Sequence, residues 1–451
     1  MSDNTKIYSE KSTSKLLFKF AVPAIISLLV SELYNMVDTI FVGRVIGGTG
    51  IGALTVAFPI QRLMIAVGLM IAVGAYTSVA RSLGEKDYDS IKSTIINSVV
   101  IIILLMTILP FVIFIFKNSI IKNLGASRNI FPYARDYISI IIFGGLFQCL
   151  TVVFCYIMTA LGDTKITLKA TSLGAILNII IDYILVIILS FGIKGAAVAT
   201  LASQIISFIY AYYKFKDIIL RFNIKMKLKF NFNIAGSIVA VGFSTFIIEV
   251  SDAIVIFILN NVLLIYTGEE AVIIFGIITK ISMFLFITVI GISSAMQPIA
   301  AYNYGQENYD KVKEVVTKTI KWVTISSVIM WLVNFIFAPN ILGIFMRDKE
   351  LLWDTVRYFR IVISVFPCVG VYFVAIYYYQ AMGEAKSSFV LSIYRQIIIF
   401  IPVLLIMMPL AKGIMGASLS YPISDLISAV TGIYYINKAL RGEEGLITQE
   451  L

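Results

Sequence analysis

Long apolar stretches recur along this chain with only short polar interruptions, and nothing else in the sequence restricts its fold as tightly. A helix needs about 20 apolar residues to cross the hydrocarbon of a bilayer. The sequence predicts twelve such spans, over 16–42, 52–80, 93–116, 136–161, 168–190, 195–213, 234–264, 271–298, 317–338, 358–382, 388–410 and 413–437. Without water, each backbone N–H and C=O must find its partner inside the segment, so runs of this length cross as α-helices. The expected fold class is an all-α polytopic membrane protein with twelve transmembrane helices. Composition agrees: only 14% of the residues are charged, against roughly 25% in soluble domains. The first span contains Glu32 and Asp38 and exceeds the roughly 7–15-residue core of a signal peptide, so it is read as a mature helix.

Absent chemistry narrows the function. The chain has no histidine, which removes Ser-His triads, Cys-His dyads and His-based zinc sites. Cys149, Cys155 and Cys368 all lie in apolar runs without a CxxC pair, as expected of small buried hydrophobes. No Walker A pattern occurs, and GGTGIG at Gly47–Gly52 fails the GxGxxG spacing, so no nucleotide site and no enzyme activity are expected. With both termini cytoplasmic, the 36 Lys and Arg divide about two to one in favour of the inner side. The formal charge of +10 is then loop charge that sets orientation, with no nucleic-acid partner implied.

Short signatures repeat at one spacing of 221 residues. Gly84, Tyr88 and Asp89 return as Gly305, Tyr309 and Asp310; Ala160, Gly162 and Lys165 return as Ala381, Gly383 and Lys386; Gly192, Gly195 and Ala196 return as Gly413, Gly416 and Ala417. The chain therefore reads as an N-terminal six-helix lobe (1–213), a basic cytoplasmic linker (214–233) along the inner headgroups, and a C-terminal six-helix lobe (234–451). An even number of spans per half gives both halves the same topology, so a pseudo-twofold axis along the membrane normal is expected, as in parallel-repeat transporters.

Ionisable groups inside a membrane are functional candidates by default. Tyr34 and Asp38 share a face of the first span at i and i+4, and Asn178 and Asp182 do the same in the fifth. Thr200 adds a hydroxyl in the sixth. Two roles are open to this set, a pocket of hard oxygens for H⁺ or Na⁺ or hydrogen-bonded bridges between helices, and for Asp38 a third, as a solvated residue near the outer interface. At the 221 offset Asp38, Asn178 and Asp182 map onto Leu259, Ile399 and Val403, so the set belongs to one half. Glu249 and Asp252 share a face of the seventh span at i and i+3. They are placed to meet a cationic substrate, to serve as a second coupling group, or to pair with Lys280 or Arg395. Glu32 is open in the same way. Arg62, after Pro59 and Gln61, is read as marking a break in the second helix, and Pro23 as a place where the first helix can bend.

Several of these segments, LYNMVDTIFVG (33–43), SVARSLGEKDYD (78–89), LGDTKITL (161–168), LNIIIDYILV (177–186), GIKGAAVATLAS (192–203) and QPIAAYNYGQEN (297–308), resemble the multidrug and toxic compound extrusion (MATE) family, most closely its bacterial MepA-like branch. The resemblance implies a twelve-helix antiporter that exports amphipathic and cationic compounds in exchange for H⁺ or Na⁺. It implies an ion site at Asp38, Asn178, Asp182 and Thr200 with Tyr34 beside it, helix bending at Pro23, and a seventh-helix acid at Glu249. The tenth span, FPCVGVYFVAIYYYQ (366–380), departs from one branch of the family in lacking a carboxylate. The expected molecule is a monomeric multi-pass protein of the bacterial inner (cytoplasmic) membrane, whose partners are drugs and the lipid bilayer, with no cofactor beyond the coupling ion. The rival readings are a lipid-linked oligosaccharide flippase of the same superfamily, which would favour a cationic cavity, and a non-transporting channel or scaffold.

Overall fold

The computed structural model describes residues 7–221, 230–344, 349–411 and 413–441, and all regular structure among them is helical. In chain order the helices are α1 (Thr13–Ile46), α2 (Gly48–Glu85), α3 (Tyr88–Asn123), α4 (Phe131–Ala160), α5 (Ile166–Asp182), α6 (Gly192–Arg221), α7 (Phe232–Thr267), α8 (Glu269–Gly305), α9 (Tyr309–Ile336), α10 (Ala338–Gly343), α11 (Lys349–Val362), α12 (Phe366–Ala381), α13 (Ala385–Ile393), α14 (Ile401–Leu410) and α15 (Ile414–Arg441). Ten spans are each long and apolar enough to cross a membrane. The bent pair α11–α12 makes an eleventh, and the 28-residue α15 completes the twelve-helix arrangement. The polar residues of α15 are turned inward: Ser418, Ser420, Ser424, Asp425 and Ser428 are all buried. On α3 the pattern is inverted, because hydrocarbon is the solvent there. Leu104, Ile108, Phe111 and Ile115 are 53, 58, 65 and 56% exposed.

Three expectations are corrected. The tenth span, read at 358–382, is not one helix but bends by 48° between α11 and α12, where Pro367 enters the first turn of α12. Proline lacks the N–H that would continue the ladder and its ring clashes with the preceding turn. Arg62 marks no break, since α2 runs on through Pro59 as a single helix. Cys368, expected to be buried like Cys149 and Cys155, is exposed. Of the 214–233 segment, α6 takes in residues up to Arg221 and α7 starts at Phe232, while 222–229 lies outside the described residues.

The chain resolves into two compact units that do not coincide with its sequence halves. One comprises residues 1–10 and 26–249, the other 11–25 and 250–451. In the first, α4 is the central helix and packs against α2, α3, α5 and α6. The start of α7 belongs there because glycines let it touch α2. A Cβ on Gly74 would fall on the backbone carbonyl of Ile238, and one on Gly242 on that of Met70. In the second unit α12 takes the central place, against α8, α9, α13 and α15. The start of α1 is anchored there by Trp322, whose indole packs edge-on against Phe18 at 4.7 Å and donates to Ser14 Oγ at 3.1 Å.

The duplication extends to backbone conformation. Left-handed residues occur in pairs 221 apart: Gly47 (φ 78°) with Gly268 (φ 90°), Lys86 (φ 60°) with Glu307 (φ 59°), Gly162 (φ 100°) with Gly383 (φ 78°), and Gly192 (φ 60°) with Gly413 (φ 71°). The neighbouring N-caps match too. Asp87 accepts from the amides of Asp89 and Ser90 at the head of α3, and Asn308 accepts from the Lys311 amide at the head of α9. The Ser90 hydroxyl, then the Ser90 and Asp89 amides, hold the Asp87 carboxyl below its ordinary pKa. A depressed carboxylate stabilises the fold above its unfolded pKa and loses that contribution as pH falls through the folded value. Asp87→Ala is expected to cost about 1 kcal/mol at neutral pH, Asp87→Asn much less. Thermal unfolding in detergent checks this, and the difference in stability between wild type and Asp87→Ala should narrow as pH falls through the folded pKa of Asp87.

Candidate functional site

The polar residues predicted on α1, α5 and α6 come together in the first unit. Asp38, Asn178, Asp182 and Thr200 are 8, 1, 0 and 4% exposed. Asn178 Nδ2 donates to Thr200 Oγ1 at 3.3 Å, and that hydroxyl donates to the Ala196 carbonyl at 3.1 Å. Tyr34 lies one helical turn before Asp38, half-buried. The Asp38 and Asp182 carboxyls are close enough to interact electrostatically.

What sets this cluster apart is a shortage of donors. Asp38 Oδ1, Asn178 Oδ1 and both carboxyl oxygens of Asp182 are buried and accept from no group of the protein. Buried acceptors of this kind are rare in proteins, because each carries a desolvation cost that a hydrogen bond normally offsets. Oxygens converging without donors are suited to a proton or a hard cation. Helix-bridging hydrogen bonds would instead leave these atoms paired.

Local structure presents Asp182. It is the last residue of α5 before the helix widens into a π-helical segment, Tyr183–Ile188. In the second half a π segment, Tyr394–Phe400, joins α13 to α14 and carries Arg395. Such insertions recur at functional sites because the extra residue redirects the side chains around it. Hydrophobic periodicity carries no signal for them.

Sequence reasoning missed Tyr137. This α4 residue is fully buried, accepts from Gln61 Nε2 at 3.4 Å, and stands close enough to Asp38, Tyr34 and Asp182 to interact with them electrostatically. It maps onto Tyr358 at the 221 offset, so a search for residues peculiar to one half passes over it.

The remaining acids separate into different settings. Glu249 pairs with Arg62, whose Nη1 stands 3.0 Å from Glu249 Oε2 while its Nη2 stands 3.8 Å from Glu32 Oε1. The expected partners Lys280 and Arg395 are therefore replaced, for Glu249, by a cation of α2. Asp252 belongs to the second unit and accepts from Gln396 Nε2. Arg395 is buried against Asp425, at 2.9 Å from Nη2 and 3.0 Å from Nε to the same oxygen, with Asp252 acting on it electrostatically. Asp425, an ionisable residue in an apolar run, is legible by the same rule that finds Asp182, though sequence reasoning missed it too. Pro23 sits inside α1, which continues through it as one helix and clusters with the second unit up to Ile25.

The donor shortage makes a direct prediction for Asp182→Asn. Its amide supplies donors to the oxygens of Asp38 and Asn178, so stability is expected to rise by about 1–3 kcal/mol, the cost of an unsatisfied buried group. Thermal unfolding of the purified protein checks this; a loss of stability would show that Asp182 serves as a structural bridge.

Comparison with known proteins follows the same lines. A family model described as MatE matches residues 23–184 and 226–406. The multidrug export protein MepA of a Staphylococcus aureus strain is 25% identical over 447 residues, covering 97% of this chain and 96% of that protein. MepA of Staphylococcus saprophyticus is also 25% identical, over 451 residues with the same coverage. Among solved structures, a MATE protein in complex with MaL6 aligns with a TM-score of 0.92 at 22% identity, over 98% of this chain and 99% of that one. An MOP superfamily transporter from Pyrococcus furiosus, reported with a binding pocket of reverse polarity, aligns over 100% of both chains with a TM-score of 0.92 at 21% identity. With its twelve helices, its duplicated turns and a family match spanning most of both halves, the chain belongs to the MatE family of membrane transporters.

Proposed function

We propose that this chain is a secondary-active exporter of amphipathic and cationic organic compounds, driven by exchange against H⁺ or Na⁺ at Asp38, Asn178, Asp182 and Thr200. The observation that carries the reading is the set of four buried oxygens without donors. Support for the substrate class comes from the half-buried acids Glu32 and Glu249, which outnumber the single cation Arg62 between them. A flippase for phosphate-bearing lipids would require the opposite balance. The relatives named as multidrug export proteins point the same way.

In this mechanism the coupling ion supplies the positive charge that Asp38 and Asp182 lack, with Tyr34 and Tyr137 closing the site from α1 and α4. Holding that ion and holding the drug are alternatives, so each drives the other out. A charge falling through 100 mV supplies about 2.3 kcal/mol, enough for roughly 50-fold accumulation of a neutral solute. For a monovalent cation exchanged against one proton the electrical contribution cancels, and the pH gradient alone drives export. The protein is taken to act as a monomer in the bacterial inner membrane with both termini cytoplasmic.

Dye transport in everted vesicles, with pH and Na⁺ gradients imposed separately, tests this. One of the two gradients is expected to drive accumulation, and Asp182→Asn to abolish it at equal expression. Transport by Asp182→Asn at the wild-type rate would remove the assignment of the ion site, and equilibration without accumulation would make the protein a channel.

A further inference from the structure

Arg62 is held between two carboxylates from two other helices. Glu249 of α7 is its near partner at 3.0 Å and Glu32 of α1 a looser one at 3.8 Å. Its guanidinium carbon stands 5.1 Å from the centre of the Phe58 ring, one turn earlier on α2. The side chains of Arg62, Glu249 and Glu32 are 26, 21 and 25% exposed, so the trio is not sealed inside the packed helices. By contrast, Arg395 and Asp425 have only 11 and 6% of their side chains exposed.

We propose that Arg62 is a built-in competitor for the cation site and sets the charge of an exported cation at one. The inference rests on the cationic-substrate reading above and adds the rule that selects among cations. Two acids and one base leave a single negative charge in surplus. When an organic monocation takes Glu249, the guanidinium moves to Glu32, the fallback it already faces, and both carboxylates end neutralised. No charge is stranded in apolar surroundings, where an unpaired ion is costly. A planar aromatic cation also replaces the guanidinium on the Phe58 face, keeping the cation–π contact. A dication would leave one positive charge without a counterion.

Ethidium and propidium test this, because they share one phenanthridinium ring and differ by an added quaternary ammonium. Equilibrium binding of each to the purified full-length chain is the readout. Wild type is expected to prefer ethidium by about tenfold, and Arg62→Gln to bind propidium about tenfold more tightly than wild type does. Arg62→Lys, which keeps the competing charge, should keep the wild-type preference. An ethidium-to-propidium ratio unchanged in Arg62→Gln overturns the proposal. Should Arg62→Gln not fold, Glu32→Gln decides: without the fallback carboxylate, ethidium affinity should fall about tenfold, and an unchanged affinity overturns the proposal. Wild type that binds neither dye refutes the cationic-substrate reading and this inference with it, whereas wild type that binds both equally refutes the inference alone.

Discussion

Two carboxylates that face each other inside an apolar bundle cannot stabilise one another. Each is an acceptor, and neither brings a donor unless a proton or a cation arrives from outside. That constraint governs the first unit. Asp38 and Asp182 come from α1 and α5, and their polar neighbours Asn178 and Thr200 spend their donors on each other and on the Ala196 carbonyl. The packing of α5 against α4 and α6 fixes Asn178 beside Thr200, and α1 brings Asp38 to Asp182. The fold therefore stabilises an arrangement in which four buried oxygens lack donors.

A second arrangement in the same unit answers a like problem differently. Glu32 and Glu249 also lack enough positive charge, but Arg62 supplies part of it from within the chain. One site is buried and chemically spare, with short side chains and hard oxygens. The other is half-exposed, with long side chains and an aromatic face. The two groups therefore differ in size, burial and the softness of their surroundings, although both combine acids from different helices.

Much of this was legible in the sequence, because hydrocarbon imposes long apolar runs and penalises every exception. The spans and the exceptional polar residues Asp38, Asn178, Asp182 and Thr200 follow from that penalty, and the duplication follows from loop signatures repeated at 221 residues. What could not be read was which exceptions meet. Pairing of Glu249 with Arg62 depends on how α2 and α7 approach through Gly74 and Gly242, and no spacing along the chain encodes that approach. The π segments and the 48° bend at α11–α12 are departures from the 3.6-residue period on which face assignments rest. Tyr137 escapes because its counterpart is also a tyrosine, and a residue retained in both copies reads as scaffolding.

The paired left-handed turns bear on how such a protein can change. Four turns in each half keep the same backbone sign at the same spacing, while the spans between them have diverged to the point that a buried aspartate in one half is a valine in the other. The turns set where each helix begins and which way it points, so side chains in mid-span can be exchanged without moving the ends. Chemistry and topology are thereby inherited separately. A lineage can drift in what it recognises while the frame that carries the recognition stays fixed, and low identity among proteins of one shape is the record that such drift leaves.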